Sequence, residues 1–336
     1  FTLDSYRKLL DSFREAGYGF QPFAEYLERP AERAVILRHD VDKRPGYSVR
    51  FARIEEERGI RGTYYFRIRH GRWEEEAIRE VHALGHEVGY HYETLQRSKI
   101  KNQKSKITEE KPAGIHQRED CRLQTGDCRL ETAYHDFCRN LESLRRIVPV
   151  TTVCMHGSPR SRYDNRKIWK HYDYRALGIT GEPYFDLDTA VTAYFTDTGR
   201  MWDGERYSVR DKMNNRTIEQ LNNRTVEQLN NRTVEQLNNR TIEHSDHAPV
   251  ENQKSLPCRQ AGLIDYSSIQ KAGITGSPFH STFDIIEAVK QGSFPERAML
   301  TLHPQRWTDN VFDWVAERVI QSLKNRVKEG MVTGDR

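Results

Sequence analysis

No apolar run in this 336-residue chain reaches the length of a bilayer, which leaves no place for a membrane-spanning helix. Cysteine is scarce. Five residues, an odd number, argue against the disulfide framework of a small secreted domain. Cys121 and Cys128 fall in a quasi-repeat, Asp-Cys-Arg-Leu at 120–123 and again at 127–130, whose spacing matches no zinc-ligand pattern. Reduced thiols in a cytoplasmic setting are the economical expectation, although a start at Phe1 leaves open a leader ahead of it. Charge of one sign is also not concentrated anywhere. The net charge of +4 is spread over mixed acids and bases, and no Lys/Arg block interleaves with aromatics. A nucleic-acid partner is therefore not expected. Charged residues make up 30% and mean hydropathy is −0.85. That is polar for a chain with a large core, so some of it must lie outside the core.

What is present is a set of apolar runs that end in acids and histidines. Ala34-Val35-Ile36-Leu37-Arg38-His39-Asp40-Val41-Asp42 reads as a buried strand closing on two carboxylates spaced i and i+2. Residues two apart on a strand project from one face. Asp40 and Asp42 can thus enter one cavity, where they repel unless a cation or shared proton intervenes. Further runs end the same way. Thr63–Phe66 leads to Arg67 and His70, Glu87–Tyr90 to His91 and Tyr92-Glu93, and Thr151–Met155 to His156. Val191–Phe195 ends near Asp197, with Arg200 and Trp202 beyond, and Ala298–Leu302 ends at His303, then Arg306 and Trp307.

Between these runs lie helical patterns. Val49, Ala52 and Ile54 precede Gly59; Trp73, Ala77, Ile78, Val81 and Leu84 precede Gly85. Phe137, Leu141, Leu144 and Ile147 form a third face, and Val311, Val315, Val319, Leu323 and Val327 a fourth that should stop at Gly330. Strands alternating with helices imply βα units and a mainly parallel sheet. An open doubly wound sheet would give the same alternation. A closed or distorted barrel is preferred, because the candidate site residues come from strands at both ends of the chain and such barrels build sites from their βα loops. The chain is read as one domain, 1–336.

Two stretches break the pattern and are read as surface insertions, 98–131 and 211–278. The first is rich in Lys, Gln, Glu and Thr. The second holds an octad, Asn214-Asn215-Arg216-Thr217-Ile218-Glu219-Gln220-Leu221, with near-copies over 214–243. Its unit is too short for a solenoid, and low complexity suits a weakly structured segment. The four Asn-Arg-Thr triplets are one motif copied in tandem rather than glycosylation acceptors. His244 and His247 with Asp246 are read as solvated.

Taken together, Arg38-His39-Asp40-Val41-Asp42, Gly62-Thr63-Tyr64-Tyr65-Phe66, Gly85-His86-Glu87-Val88-Gly89-Tyr90-His91 and Leu302-His303 resemble the polysaccharide deacetylase family, the NodB-homology group of carbohydrate esterase family four. The resemblance runs from Ala34 to about Trp314 outside the insertions. It implies a distorted (β/α) barrel that removes acetyl groups from N- or O-acetylated sugars with one divalent metal. By motif, Asp40 resembles the base, Asp42 and His91 metal ligands, and His303 the general acid. Two departures stand out. The second metal histidine, expected four residues after His91, is Leu95, and the motif whose Arg orients the base appears only as His156-Gly157-Ser158-Pro159. Glu93 or His156 is the expected third ligand. His86 would face away from His91, and Glu87 would share its face but lie deeper.

The chemistry expected is a divalent ion acidifying water, Asp40 removing the proton, an oxyanion met by the ion and a backbone N–H after Pro159, and His303 protonating the leaving amine. Mixed N/O ligation suits Zn²⁺ foremost, with Mn²⁺, Co²⁺ or Fe²⁺ possible. Tyr92, Trp202 and Trp307 are candidates to stack on a sugar ring, and Arg200 and Arg306 to meet an anionic sugar. Tyr163-Asp164-Asn165 is expected to cap a helix from Arg166. An amidase for a non-sugar C–N bond and a non-catalytic sugar-binding relative are the alternatives.

Overall fold

The protein was analysed as a computed structural model, which describes residues 1–69, 71–97, 127–157, 164–202 and 279–333. Seven parallel strands make one sheet: β1 (Gly19–Phe20), β2 (Ala34–Val41), β3 (Thr63–Phe66), β4 (Glu87–Tyr92), β5 (Val153–Met155), β6 (Ala193–Thr196) and β7 (Arg297–Leu302). Their spatial order is β5-β4-β3-β2-β7-β6, with β1 paired to the first residues of β2. The helices are α1 (Leu3–Glu15), α2 (Phe23–Glu28), α3 (Gly46–Glu56), α4 (Glu75–Ala83), α5 (Thr94–Arg97), α6 (Asp127–Arg145), α7 (Pro183–Asp186), α8 (Thr282–Lys290) and α9 (Val311–Thr333).

The two-residue period of the strands divides the core into two sides. Val35, Leu37 and Val41 of β2, Tyr64 and Phe66 of β3, Val88 and Tyr90 of β4, and Leu300 and Leu302 of β7 pack with α1, α3, α4, α6 and α8 in one large cluster. Ala34, Ile36 and Met299 face the other way, against Phe23 and Tyr26 of α2 and against Leu187 and Tyr194. Arg38 and Asp40 share the parity of Ala34 and Ile36, so they project from this second side, above its apolar floor. Among the described residues, α2 packs on the apolar floor of this second side.

The barrel expected from the sequence takes the form of a half-barrel. Among the described residues β5 and β6 do not pair. The chain before α7 lies beside β5 instead: Val153 N–H donates to the Gly181 carbonyl (3.0 Å), Thr180 N–H to that of Thr151 (2.7 Å), and Met155 N–H to the Glu182 carboxylate (2.9 Å). Burial holds the Glu182 carboxyl up at about 7.

Other expectations need correction. Residues 127–131, read as the end of an insertion, open α6; residues 98–126 and the second insertion, 211–278, lie outside the described residues, as do His70 and the Ser158–Tyr163 stretch. The fourth helix passes through Gly330 to Thr333, and its Val311, Val315 and Val319 are exposed. Asp164, not Asn165, caps the turn after it, accepting from Arg166 N–H at 3.0 Å. The sequence reading also passed over α1. Thr2 and Ser5 form a reciprocal capping box there, and Leu3, Tyr6, Leu9, Leu10 and Phe13 are buried.

Two local features hold the sheet in the shape the site needs. Gly89 on β4 faces the same side as Arg38, and the Tyr65 ring crosses it so closely that an added Cβ would lie 2.4 Å from ring carbons and 2.9 Å from the Thr152 carbonyl. On the helical side, Glu55 of α3 is fully buried and receives Tyr6 Oη–H at 2.5 Å, with His39 Nε2 at 2.8 Å and His86 Nδ1 at 3.4 Å. Burial pushes Glu55 upward, but His39, His86 and Tyr6 outweigh it and hold the carboxyl below its ordinary 4.5. Burial likewise pushes His86 below its ordinary 6.5.

Both shifts are downward, so both contributions to stability are complete at neutral pH. They fade as pH falls below 6.5 for His86 and below 4.5 for Glu55, because the unfolded chain then binds protons that the folded chain refuses. Urea unfolding followed from pH 7.5 to 4 should lose stability in that direction, and Glu55→Gln should flatten the lower part of the curve. Gly89→Ala should cost roughly 1–3 kcal/mol from overpacking. An unchanged urea midpoint in that variant would contradict the close Tyr65 approach.

Candidate metal centre

The carboxyl ends of β2, β3, β4, β5 and β7 meet at one rim. Registers fix which residues arrive there. Asp40 pairs with Tyr65, His91 with Cys154, and His39 with Leu302. His156 therefore stands just past the β4–β5 pairing that carries His91, and His303 follows the residue opposite His39.

Asp42, His91 and His156 form a group whose donor atoms all lie within 4.8 Å of one another. His91 Nε2 is 3.7 Å from Asp42 Oδ1, and His156 Nε2 is 3.3 Å from the same oxygen. The two imidazoles stand edge to face, 5.1 Å apart at 89°. His91 Nδ1–H donates to the Cys154 carbonyl at 3.0 Å, which leaves the Nε2 lone pair facing the carboxylates. Burial pushes the His91 imidazole down to about 4, so it is neutral at physiological pH, the form a metal ligand needs. Burial alone would raise Asp42, yet the neighbouring His156, His91, His303 and Arg67 hold it far below the usual carboxylate range. One ionised carboxylate and two imidazoles in a converging cluster fit a divalent cation.

Glu93 does not join that group. Its Oε2 lies behind His156, 3.1 Å from Nδ1, and takes a hydrogen bond from Arg67 Nη2 at 2.6 Å. Burial raises the Glu93 carboxyl, but His156 and Arg67 more than offset it and hold it at about 2. Of the two candidates for third ligand, His156 faces the cluster and Glu93 stands behind it, on the side from which an outer carboxylate can fix a ligating ring. Arg67 Nη1 is 3.3 Å from Asp42 Oδ1 and 3.0 Å from His156 Nε2, so it balances the charge of both acids. Asn165 Nδ2 donates to the His156 carbonyl (3.1 Å) and its Oδ1 accepts from Leu95 N–H (3.0 Å), tying this rim to α5.

Asp40 stands beside the triad, its Oδ2 3.7 Å from His91 Nε2. Arg38 grips it through two hydrogen bonds, Nε to Oδ1 at 2.9 Å and Nη2 to Oδ2 at 2.7 Å, with both side chains buried. Burial would raise Asp40; Arg38, His91 and His303 together bring it below its usual value. Cys154 shares the deeper cluster with Asp40 and His91.

His303 is held by Asp197. Its Nδ1 donates to Asp197 Oδ1 at 2.6 Å and its backbone N–H to Oδ2 at 2.9 Å. Trp307 Nε1 adds a bond to Oδ2 (2.8 Å), and Arg306 Nη1 reaches Oδ1 (2.7 Å) and the Asp197 carbonyl (2.8 Å). Burial raises the Asp197 carboxyl, but His303 and Arg306 overcome it and place it at about 2. With Nδ1 engaged, Nε2 is the nitrogen left for proton transfer, and the charge of His303 is felt at both Asp40 and Asp42.

The expected sugar-stacking residues are elsewhere in function. Tyr92 is fully buried, donating to Glu182 (3.4 Å) and accepting from Trp169 Nε1 (2.8 Å). Trp202 and Trp307 are core side chains packed with Phe1, Tyr6 and Phe51. Apolar helix surface just past the strand ends draws these rings inward and leaves no free face for a sugar. Arg306 is committed to Asp197, and Arg200 lines a separate cavity beside α1, α8 and α9. His86 belongs to the Glu55 cluster, as its parity required, and Glu87 bonds Thr63 (2.9 Å), Thr152 and Ala24 (3.0 Å) deeper on the His91 face. Arg38, Arg67 and Asp197 were not anticipated as parts of the site. The first two had a signal, because Arg38-x-Asp40 and Tyr65-x-Arg67 share a strand face by the same two-residue period. Asp197 had only its position after an apolar run.

No family model matches the chain, and the searches of curated proteins and of solved structures return no significant match.

Cobalt titration followed by visible absorption should report a bound ion with mixed N/O donors. His91→Ala and His156→Ala should abolish that signal, whereas Glu93→Gln should weaken affinity roughly 10–100-fold without removing it. Unaltered cobalt binding in His156→Ala would exclude His156 as a ligand.

Proposed function

We propose that the protein is a metal-dependent hydrolase that removes acetyl groups from an N- or O-acetylated carbohydrate, with zinc as the first choice of ion and a NodB-type distorted barrel as its fold. The observation that carries this reading is the meeting of three units at one rim: the Asp42–His91–His156 cluster, the Arg38–Asp40 pair and the Asp197–His303 pair. The sugar comes from the motif resemblance alone. The reaction type rests on the donor set and the two flanking proton-transfer groups.

A divalent ion held by Asp42, His91 and His156 would supply Lewis acidity to the acyl oxygen and to water. The remaining work falls to the chain. Asp40, ionised and held by Arg38, accepts a proton from the attacking water. The bidentate Arg38 contact fixes the carboxylate plane, the orienting role for which the sequence offered no Arg at 156–159. His303 delivers a proton to the departing amine or alkoxide from Nε2, because Asp197 holds the ring by Nδ1. Asp197 also stabilises the protonated imidazole, while Arg306 and Trp307 keep the carboxylate in place. Arg67 bridges the Asp42 and Glu93 carboxylates and offsets their mutual repulsion, with His156 beside both.

Acetate release from N-acetylated chito-oligosaccharides and acetylated xylan, with the zinc-loaded protein, tests the reading. Asp42→Asn should lose both metal and turnover. Asp40→Asn should keep the metal and lose roughly 10²–10⁴-fold in kcat, as should His303→Ala. An Asp40→Asn protein with the parent rate would remove Asp40 from the mechanism. Intact metal binding without acetate from any glycan would move the substrate to a non-sugar amide.

A further inference from the structure

We propose that the cavity between α1, α8 and α9 is a second binding site, separate from the metal centre, for a small ligand bearing an oxyanion such as a phosphate or carboxylate. The cavity holds about 270 Å³ and is lined by Arg200, His280, Ser281, Trp314, Arg318 and Gln321 among others, with no acidic side chain in its wall. Two guanidinium groups converge on one indole. Arg200 lies 5.4 Å and Arg318 5.0 Å from the centre of the Trp314 ring. Neither arginine forms an ion pair among the described residues, and the nearby Arg318 disfavours the charge of Arg200.

Arg200 is the central element. Its Nη1 is buried with no hydrogen-bond partner; Arg38 Nη1 and Arg67 Nε are also unpartnered, but Arg38, Arg67 and Arg306 each bond a carboxylate and Arg200 forms no ion pair among the described residues. Its backbone has φ +62°, a left-handed conformation that costs a non-glycine residue free energy. Burial pushes its charge toward loss, and Arg306 and Arg318 push the same way, while Glu317 and Asp197 oppose them. An oxyanion between Arg200 and Arg318 would satisfy Nη1, relieve the repulsion and accept the fork geometry of a guanidinium. Trp314 adds an indole ring beside the two guanidinium groups for an apolar part of the same ligand.

The test uses full-length protein treated with EDTA, so that bound metal cannot act as a phosphate trap. Inorganic phosphate and citrate are titrated separately by calorimetry in a non-coordinating buffer. Saturable binding of either is expected, and the arm that binds more tightly identifies the anion class. Arg200→Gln and, independently, Arg318→Gln should each weaken binding about tenfold or more, the loss of one charge-assisted contact. Arg318 is exposed on α9, so its replacement keeps the fold intact even where Arg200→Gln does not. Arg67→Gln, at the metal rim, should leave binding unchanged. Absence of saturable binding by both anions overturns the proposal. So does equal binding in Arg318→Gln, or a loss confined to Arg67→Gln.

Discussion

The buried pair of Arg38 and Asp40 is the constraint on which the rest of the site depends. Both side chains leave the Ala34–Ile36 side of β2, the strand flanked by β3 and β7, and neither reaches solvent. Two charges removed from water persist only when each satisfies the other in good geometry, and deleting one partner of such a pair typically costs about 3–5 kcal/mol. The pair therefore fixes the position of Asp40 more firmly than any surface contact could. Asp42, two residues on, inherits that position through the strand period. From there the registers of β3, β4, β5 and β7 dictate what stands opposite.

Around this pair, acids alternate with imidazoles and guanidinium groups. Asp40 and Asp42 face His91, His156 and His303; Glu93 stands behind His156 and Asp197 behind His303, while Arg67 bridges Asp42 and Glu93 and Arg306 holds Asp197. Each carboxylate lies below its ordinary range despite burial, because a cation or a hydrogen-bond donor touches it. A second polar cluster, Glu55 with Tyr6, His39 and His86, is buried on the opposite side of the same strand. His39 and Asp40 are neighbours in sequence and belong to different networks because alternate residues of a strand face opposite ways. One strand thus carries the Glu55 cluster on one face and the candidate metal centre on the other.

The electrostatic balance also separates the arginines into two kinds. Arg38, Arg67 and Arg306 neutralise acids and are consumed by the site. Arg200 is held in left-handed backbone beside Arg318 and Trp314 and forms no ion pair among the described residues.

Much of this was legible in the residue order. Apolar and aromatic runs marked β2, β3, β4 and β7 nearly to the residue, since buried parallel strands need such side chains on both faces. The parity of Asp40 and Asp42, the exclusion of His86 and the depth of Glu87 followed from the strand period alone. Local signals also existed for α1, in the capping box of Thr2 and Ser5. What sequence could not decide was anything set by register between strands or by helices docking on them. His156 and not Glu93 joins Asp42 and His91 because β5 pairs with β4 opposite His91. Asp197 meets His303 across 106 residues of chain. Trp202, Trp307 and Tyr92 turn inward because helix surface covers them, and β5 and β6 stay apart because the chain around Gly181 and Glu182 lies along β5. Periodicity is a property of the chain's own covalent geometry and can be read from it. Which strand lies beside which, and at what offset, is a property of packing, and only the folded protein decides it.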